Sequence, residues 1–389
     1  MNQQVAGTVR PVPLLDVNRG NRDLRDEILA ALTAVVDSGR FLHGPEVTQL
    51  EAQIAALCAV PHAIGCASGS DALLLALMAL ELNAGDEVIL PSFTFFATAS
   101  CVARLGCKIV FVDIDPRTYN MDTAALSAAI TSRTRAIIPV HLFGQCARMD
   151  EICRIADQHQ IPVIEDAAQA IGAAYHGRPA CSWGSMGCLS FYPTKNLGGF
   201  GDGGMLTARS EVVADRLRLL ASHGMRPRYY HQTIGINSRL DTLQAAVLAV
   251  KLKQLGAYTQ ARQGNAQRYA ELFKAASLQD TFTLPYHDPA ANHVWNQYGI
   301  RVLHGQRDEL KNYLQQRGIG CEIYYPVPLH QQQCFRHLGY TEGSLPVTER
   351  AAREILHLPI YPELAQDEQI RVVDTIGEYY RQAYRRRAA

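Results

Sequence analysis

Between His62 and Thr207 the chain switches repeatedly between short apolar runs and amphipathic stretches, and this change of period constrains the fold more than any other feature. The runs Ala63–Cys66, Glu87–Leu90, Lys108–Val112, Arg135–Pro139, Pro162–Glu165, Gly187–Phe191 and Gly204–Thr207 are predicted strands. They are apolar without clear two-residue alternation, as strands covered on both faces must be. The stretches Asp71–Leu82, Thr94–Leu105, Thr123–Ile130 and Met149–Gln158 are predicted helices. Strand and helix in alternation imply an α/β fold, a mostly parallel sheet with helices on both sides.

The flanking sequence reads differently. Arg22–Asp37 and Glu46–Leu57 are predicted helices, the second announced by Gly44-Pro45. After Ser238, Leu240–Phe273 reads as one long helical stretch. From about Asn296 a smaller α+β unit is expected: strand Gln297–Leu303, helix Arg307–Arg317, strand Cys321–Tyr324, and helices near Val347–Ile355 and Gln366–Arg381. A chain of 389 residues exceeds a single core, since cores stop growing near about 250–300 residues. The expected division is a large domain over 1–255 and a small C-terminal α+β domain over 256–389.

Charge and cysteine usage exclude several functions. Lys plus Arg and Asp plus Glu both number 37, so there is no basic field for nucleic acid or an anionic membrane. No apolar run approaches a membrane span, and the N-terminus lacks a charged-then-apolar leader. The ten cysteines form no C-x-x-C and H-E-x-x-H is absent, so no metal site is expected and the thiols read as buried groups of a reduced cytoplasmic protein. Arg385-Arg386-Arg387 reads as a solvated chain end.

Chemistry is concentrated in two segments. Lys195 lies within Ser190-Phe191-Tyr192-Pro193-Thr194-Lys195-Asn196-Leu197-Gly198-Gly199, followed by Phe200-Gly201-Asp202-Gly203-Gly204. Upstream, Ile161-Pro162-Val163-Ile164 delivers Glu165-Asp166-Ala167-Ala168-Gln169. A lysine on a glycine-rich turn and a carboxylate at a strand end are what a pyridoxal phosphate enzyme needs: one to carry the cofactor as a Schiff base, the other to keep its ring nitrogen protonated. Apolar neighbours of Lys195 would lower the pKa of its amine. Gly69-Ser70-Asp71, opening a helix after the first strand, reads either as a phosphate cradle or as an ordinary cap by Ser70 or Asp71. Asp166 too reads as a ligand carboxylate or a helix cap, and Gln169 as a contact to a ring hydroxyl or polar surface. Phe93, Phe95 and Phe96 read as core, or one of them as a flat face for a planar cofactor. Gly199 to Gly204 contains G-x-G-x-x-G, but a strand rather than a helix is predicted next, which rejects a dinucleotide site.

Taken together the chain resembles, over essentially its whole length, the DegT/DnrJ/EryC1/StrS family of nucleotide-sugar aminotransferases. The resemblance is carried by Gly44-Pro45-Glu46, the 165–169 block, Ser190 to Gly204, Gly235-Ile236-Asn237-Ser238-Arg239-Leu240-Asp241 and Leu358-Pro359-Ile360-Tyr361-Pro362. It implies the fold-type-I, aspartate-aminotransferase-like architecture, pyridoxal 5'-phosphate as cofactor, and a homodimer with sites at the subunit interface. It implies Lys195 as the cofactor-bearing lysine and Asp166 as the partner of the ring nitrogen, both catalytic. Gln169 matches the residue beside the ring hydroxyl, Gly69, Ser70 and Ser190 match phosphate contacts, and Phe95 matches the stacking aromatic. Asn237 matches a phosphate contact donated by the neighbouring subunit, and Arg239 lies within reach of substrate. Tyr324-Tyr325-Pro326-Val327-Pro328-Leu329-His330 resembles a sugar-binding loop, making Tyr324, Tyr325 and His330 substrate candidates, although many relatives have His-Tyr-Pro where this chain has Tyr324-Tyr325-Pro326. The implied reaction transfers an amine from L-glutamate to a nucleotide-linked keto sugar, favoured at C3. Arg226, Arg228 and Arg239 would suit a UDP-linked 3-keto-hexuronate over a dTDP-linked 3-keto-6-deoxyhexose. The alternatives are an inactive regulatory protein or another fold-type-I lyase or dehydratase.

Overall fold

The computed structural model describes residues 10–278 and 281–388, with 384–388 as backbone only. The Arg385 to Arg387 cluster and the first nine residues therefore lie outside the described side chains. Seven strands form the central sheet: β1 (His62–Cys66), β2 (Glu87–Pro91), β3 (Lys108–Val112), β4 (Thr134–Ile137), β5 (Ile164–Asp166), β6 (Met186–Ser190) and β7 (Gly204–Ala208). Ladders run β3-β2-β4 and β1-β7-β6-β5. Parallel bridges Ile137–Val163 and Val140–Asp166 join β4 to β5, giving one sheet in the order β3-β2-β4-β5-β6-β7-β1. Only β7 runs against its neighbours.

Apolar strands without alternation are explained by the cores. Val88 and Leu90 point into one apolar cluster and Ile89 into another, and Cys188 and Leu206 are likewise separated from Leu189 and Met205. Helix Gly69–Ala79, buried continuously from Ala72 to Leu77, fills one side. Helices Pro45–Leu57 and Thr242–Leu252 pack together on the other. A third core surrounds an antiparallel sheet of Phe282–Thr283, Tyr298–Val302 and Ile355–Leu358, covered by Leu255–Ala275, Arg307–Gln316 and Gln366–Ala388. Val12 belongs to this third core, its backbone paired with Gly318 and Gly320.

Several expectations are corrected. The predicted Leu240–Phe273 helix breaks at Lys253-Gln254 into Thr242–Leu252 and Leu255–Ala275. Cys321–Tyr324 is not a strand but a single bridge, Glu322 to His357, on the outer edge of Ile355–Leu358. Helix Glu211–Ala221 was not anticipated. Among the described residues no helix is long and apolar enough to cross a membrane.

Candidate active site

All the parallel strands end at one edge of the sheet, where open α/β sheets gather ligand-binding groups. Asp166 is the last residue of β5 and only 5% exposed. Its Oδ2 accepts from the Thr98 hydroxyl at 2.8 Å and its Oδ1 from the Ala168 N–H at 3.2 Å. Burial pushes its pKa up, opposed by the Thr98 and Ala168 bonds and by the charge of Lys195. The preceding residue, Glu165, faces the other way, as alternation along a strand requires. It accepts from His141 Nε2 at 2.9 Å and from the N–H groups of Cys181, Trp183 and Gly184 at 2.8, 2.7 and 2.8 Å. Ala147 N–H donates to His141 Nδ1, so the ring proton lies on Nε2 toward Glu165. Glu165 thus holds a loop, and Asp166 is the acid left facing the strand-end cleft.

Lys195 sits on the loop after β6. The loop is closed by Phe191 N–H to Gly203 O at 2.8 Å and Gly199 N–H to Phe191 O at 2.7 Å. Gly198 is required by close approach, since a Cβ there would lie 2.3 Å from the Pro193 carbonyl oxygen. Asn196 pins the loop from within, donating to Val294 O and accepting from Asn296 Nδ2, both at 2.8 Å. Loss of hydration lowers the Lys195 pKa to about 8, partly countered by Asp166. Lys195 and Asp166, 29 positions apart, each feel the other's charge.

A third group lies where helix Gly69–Ala79 begins. Its cap is neither Ser70 nor Asp71 but Ser68, whose hydroxyl accepts from the Asp71 N–H at 3.1 Å. The Gly69 and Ser70 N–H groups therefore remain at the positive end of the helix. Ser190, the last residue of β6, stands against them: a Cβ on Gly69 would lie 2.7 Å from the Ser190 Cβ.

The aromatic wall is built from both ends of the chain. Phe95, 58% exposed, caps helix Phe96–Arg104, and Tyr325 lies 6.3 Å from it and 6.1 Å from buried Phe93, centroid to centroid. Phe96 instead packs on Phe335. Gln169 accepts from the Phe143 N–H at 2.7 Å, and both Gln169 and Asp166 act on the Tyr325 hydroxyl. Tyr324 is turned toward His357, 5.1 Å between rings. His330 is enclosed within the fold. It is 1% exposed, with Nδ1 on the Ser92 hydroxyl at 2.7 Å and Nε2 on Glu349 at 3.2 Å, so both ring nitrogens are engaged within the chain. Asn237 is exposed and Arg239 partly so; Ser238 between them accepts from the Ala67 N–H at 3.0 Å, which holds the segment beside the helix start. Arg226 pairs with Asp215 and Arg228 stacks on Tyr229, both on an exposed loop. Thr98 and His141 were missed in the sequence.

Known proteins give a concordant picture. The profile of the DegT/DnrJ/EryC1/StrS aminotransferase family matches residues 22–377. The pleiotropic regulatory protein of Geobacillus stearothermophilus is 48% identical over 95% of this chain and 99% of its own length. The UDP-N-acetyl-3-dehydro-α-D-glucosamine 3-aminotransferase of Acidithiobacillus ferrooxidans is 44% identical over 94% of this chain and 97% of its own. Among solved structures, Streptomyces venezuelae DesV in complex with a ketimine intermediate matches with a TM-score of 0.91 at 42% identity, covering 95% of this chain and 99% of that one. The chain belongs to the DegT/DnrJ/EryC1/StrS aminotransferase family, and is a pyridoxal-phosphate-dependent aminotransferase.

Proposed function

We propose that this enzyme transfers an amino group from L-glutamate to C3 of a nucleotide-linked keto sugar. The observation that carries the catalytic reading is geometric: one strand ends in the buried Asp166, and its parallel neighbour runs at the same sheet edge into the closed loop that bears Lys195. The residues fit the cofactor. Asp166 is a buried acid bonded, among the described residues, to one hydroxyl and one N–H, and a protonated ring nitrogen supplies the cationic donor it lacks. Gly69, Ser70 and Ser190 would hold the phosphate at the helix end. Phe95 would cover a ring face, with Gln169 beside the ring hydroxyl.

When bound, the cofactor supplies an electron sink for the bond broken at the amine-bearing carbon. Lys195 Nζ, with its pKa lowered toward neutrality, takes the proton from that carbon and returns it to the acceptor side. Asp166 would hold the charge at the ring nitrogen, and Tyr325, packed against Phe93 and Phe95, forms an aromatic wall beside it. For the substrate, Arg239, Tyr324 and Tyr325 are the proposed contacts, with Asn237 reaching the neighbouring subunit's phosphate in a cytoplasmic homodimer. The division into domains at 1–255 and 256–389 is part of the same proposal.

The choice of C3 is supported by the Acidithiobacillus ferrooxidans relative, whose name specifies a 3-dehydro sugar and 3-amination. The name of the Geobacillus relative favours a second reading, a regulatory protein. Retention of Lys195, Asp166, Gln169 and Ser190 together argues for the enzyme. Incubating the glutamate-treated protein with UDP-linked 3-keto-glucuronate and, separately, dTDP-linked 3-keto-6-deoxyglucose distinguishes the readings by mass spectrometry. An aminated UDP-hexuronate is expected. No amination of either sugar, with the cofactor bound and no 2-oxoglutarate formed, supports the regulatory reading.

A further inference from the structure

The helix Thr242–Leu252 lies outside the site described above, yet two of its side chains end on the Lys195 loop. Gln244 Oε1 accepts from the Phe200 N–H at 2.8 Å. Lys251, seven positions on and so on the same helix face after two turns, donates from Nζ to the Gly198 carbonyl. Its ammonium also lies 5.8 Å from the centre of the Phe200 ring. Lys251 is 9% exposed and lines a cavity of about 50 Å³ together with Thr194, Lys195, Arg262, Tyr258 and Glu363. Burial costs this ammonium much of its hydration, and Glu363 only partly compensates. A surface position would cap the carbonyl without that cost, so a buried amine aimed at the loop calls for an explanation beyond packing.

We propose that Gln244 and Lys251 are positioning residues that clamp the loop from Gly198 to Phe200 and so fix the direction and reach of the Lys195 amine. The inference rests on the reading of Lys195 as the cofactor-bearing residue. Gly198 and Gly199 bring no side chain to pack, whereas just before them Leu197 is buried in the core and Asn196 is bonded to Val294 and Asn296. The helix therefore adds a further anchor on the C-terminal side of the lysine, three to five positions beyond it. The helix itself is seated by Thr242, whose N–H donates to Phe41 O at 3.0 Å and whose hydroxyl accepts from the Gly44 N–H at 3.1 Å.

The test uses the holoenzyme and its Lys251→Met, Lys251→Arg and Gln244→Leu variants. Three quantities are read: the pH midpoint of the bound cofactor's visible absorbance, kcat and KM for L-glutamate, and thermal unfolding. A misaligned amine lowers kcat about 10- to 100-fold in Lys251→Met and less in Gln244→Leu, with KM nearly unchanged. The absorbance midpoint moves by at least about 0.5 pH unit, because the amine's surroundings change. Lys251→Arg, which keeps a donor, recovers part of kcat. Wild-type midpoint and kcat in both Lys251→Met and Gln244→Leu overturn the proposal, whatever happens to unfolding. If Lys251→Met does not fold, Gln244→Leu alone decides by the same two readouts. A wild-type protein with no pH-dependent cofactor absorbance overturns the Lys195 reading instead.

Discussion

Two buried acids at opposite edges of the same sheet have opposite fates. Glu87 opens β2 at the N-terminal edge and is 1% exposed. Burial works to raise its pKa, but the Thr131 hydroxyl, Arg133 at 2.7 Å and Lys108 at 3.1 Å more than offset this and lower it to about 2. Asp166 closes β5 at the C-terminal edge with a hydroxyl and an N–H but, among the described residues, no hydrogen-bonded cation, and burial wins. The chain completes the first acid and leaves the second incomplete. Saturated acids stabilise a fold; an unsaturated one at a strand end is available to a ligand.

Mutations should separate the two edges by kind of effect. Lys195→Ala is expected to reduce turnover at least about 10³-fold and to abolish the cofactor's lysine-linked absorbance, measured by rapid mixing with L-glutamate. Asp166→Asn should lower kcat about 10²–10³-fold with thermal unfolding unchanged or raised, since an unsatisfied buried charge is removed. Glu87→Gln should do the reverse: activity within about twofold, but about 1–3 kcal/mol lost in urea unfolding at neutral pH. The folded pKa of Glu87 lies below its ordinary 4.5, so its contribution is complete above that value and is lost as pH falls toward 2. The difference between wild type and Glu87→Gln should narrow over that window. Equal activity losses in Asp166→Asn and Glu87→Gln would break the comparison.

The smallest expected effect sharpens it. In the apoprotein the Lys195 pKa of about 8 lies below its ordinary 10.5, so the unfolded chain holds that proton more tightly. Apoprotein stability should therefore rise between about pH 8 and 10.5, and Lys195→Met should flatten that rise. An unchanged slope in Lys195→Met would mean that the amine is fully hydrated.

The sheet was legible in the sequence because apolar runs flanked by amphipathic helices have few other folded solutions, and Asp166 and Lys195 stood out by residue type and setting. The break at Lys253-Gln254 was not legible, as neither residue is a helix breaker and both keep right-handed backbone angles. The Ser68 cap was missed by two or three positions because three closely spaced candidates, Ser68, Ser70 and Asp71, satisfy the same pattern. The partners of His330 were not legible for a different reason. Its loop resembles a sugar-binding segment, but its partners, Ser92 and Glu349, lie far away in sequence and are visible only after folding. Thr98 and Lys251 were invisible for the same cause, each acting through a residue remote in sequence.

Borohydride reduction of the holoprotein, followed by peptide mass mapping, tests the pairing of this lysine with the incomplete acid most directly. The account predicts a reduced pyridoxyl group on Lys195 alone. A label on Lys251, the other amine of the same cavity, or on no lysine at all, would contradict it.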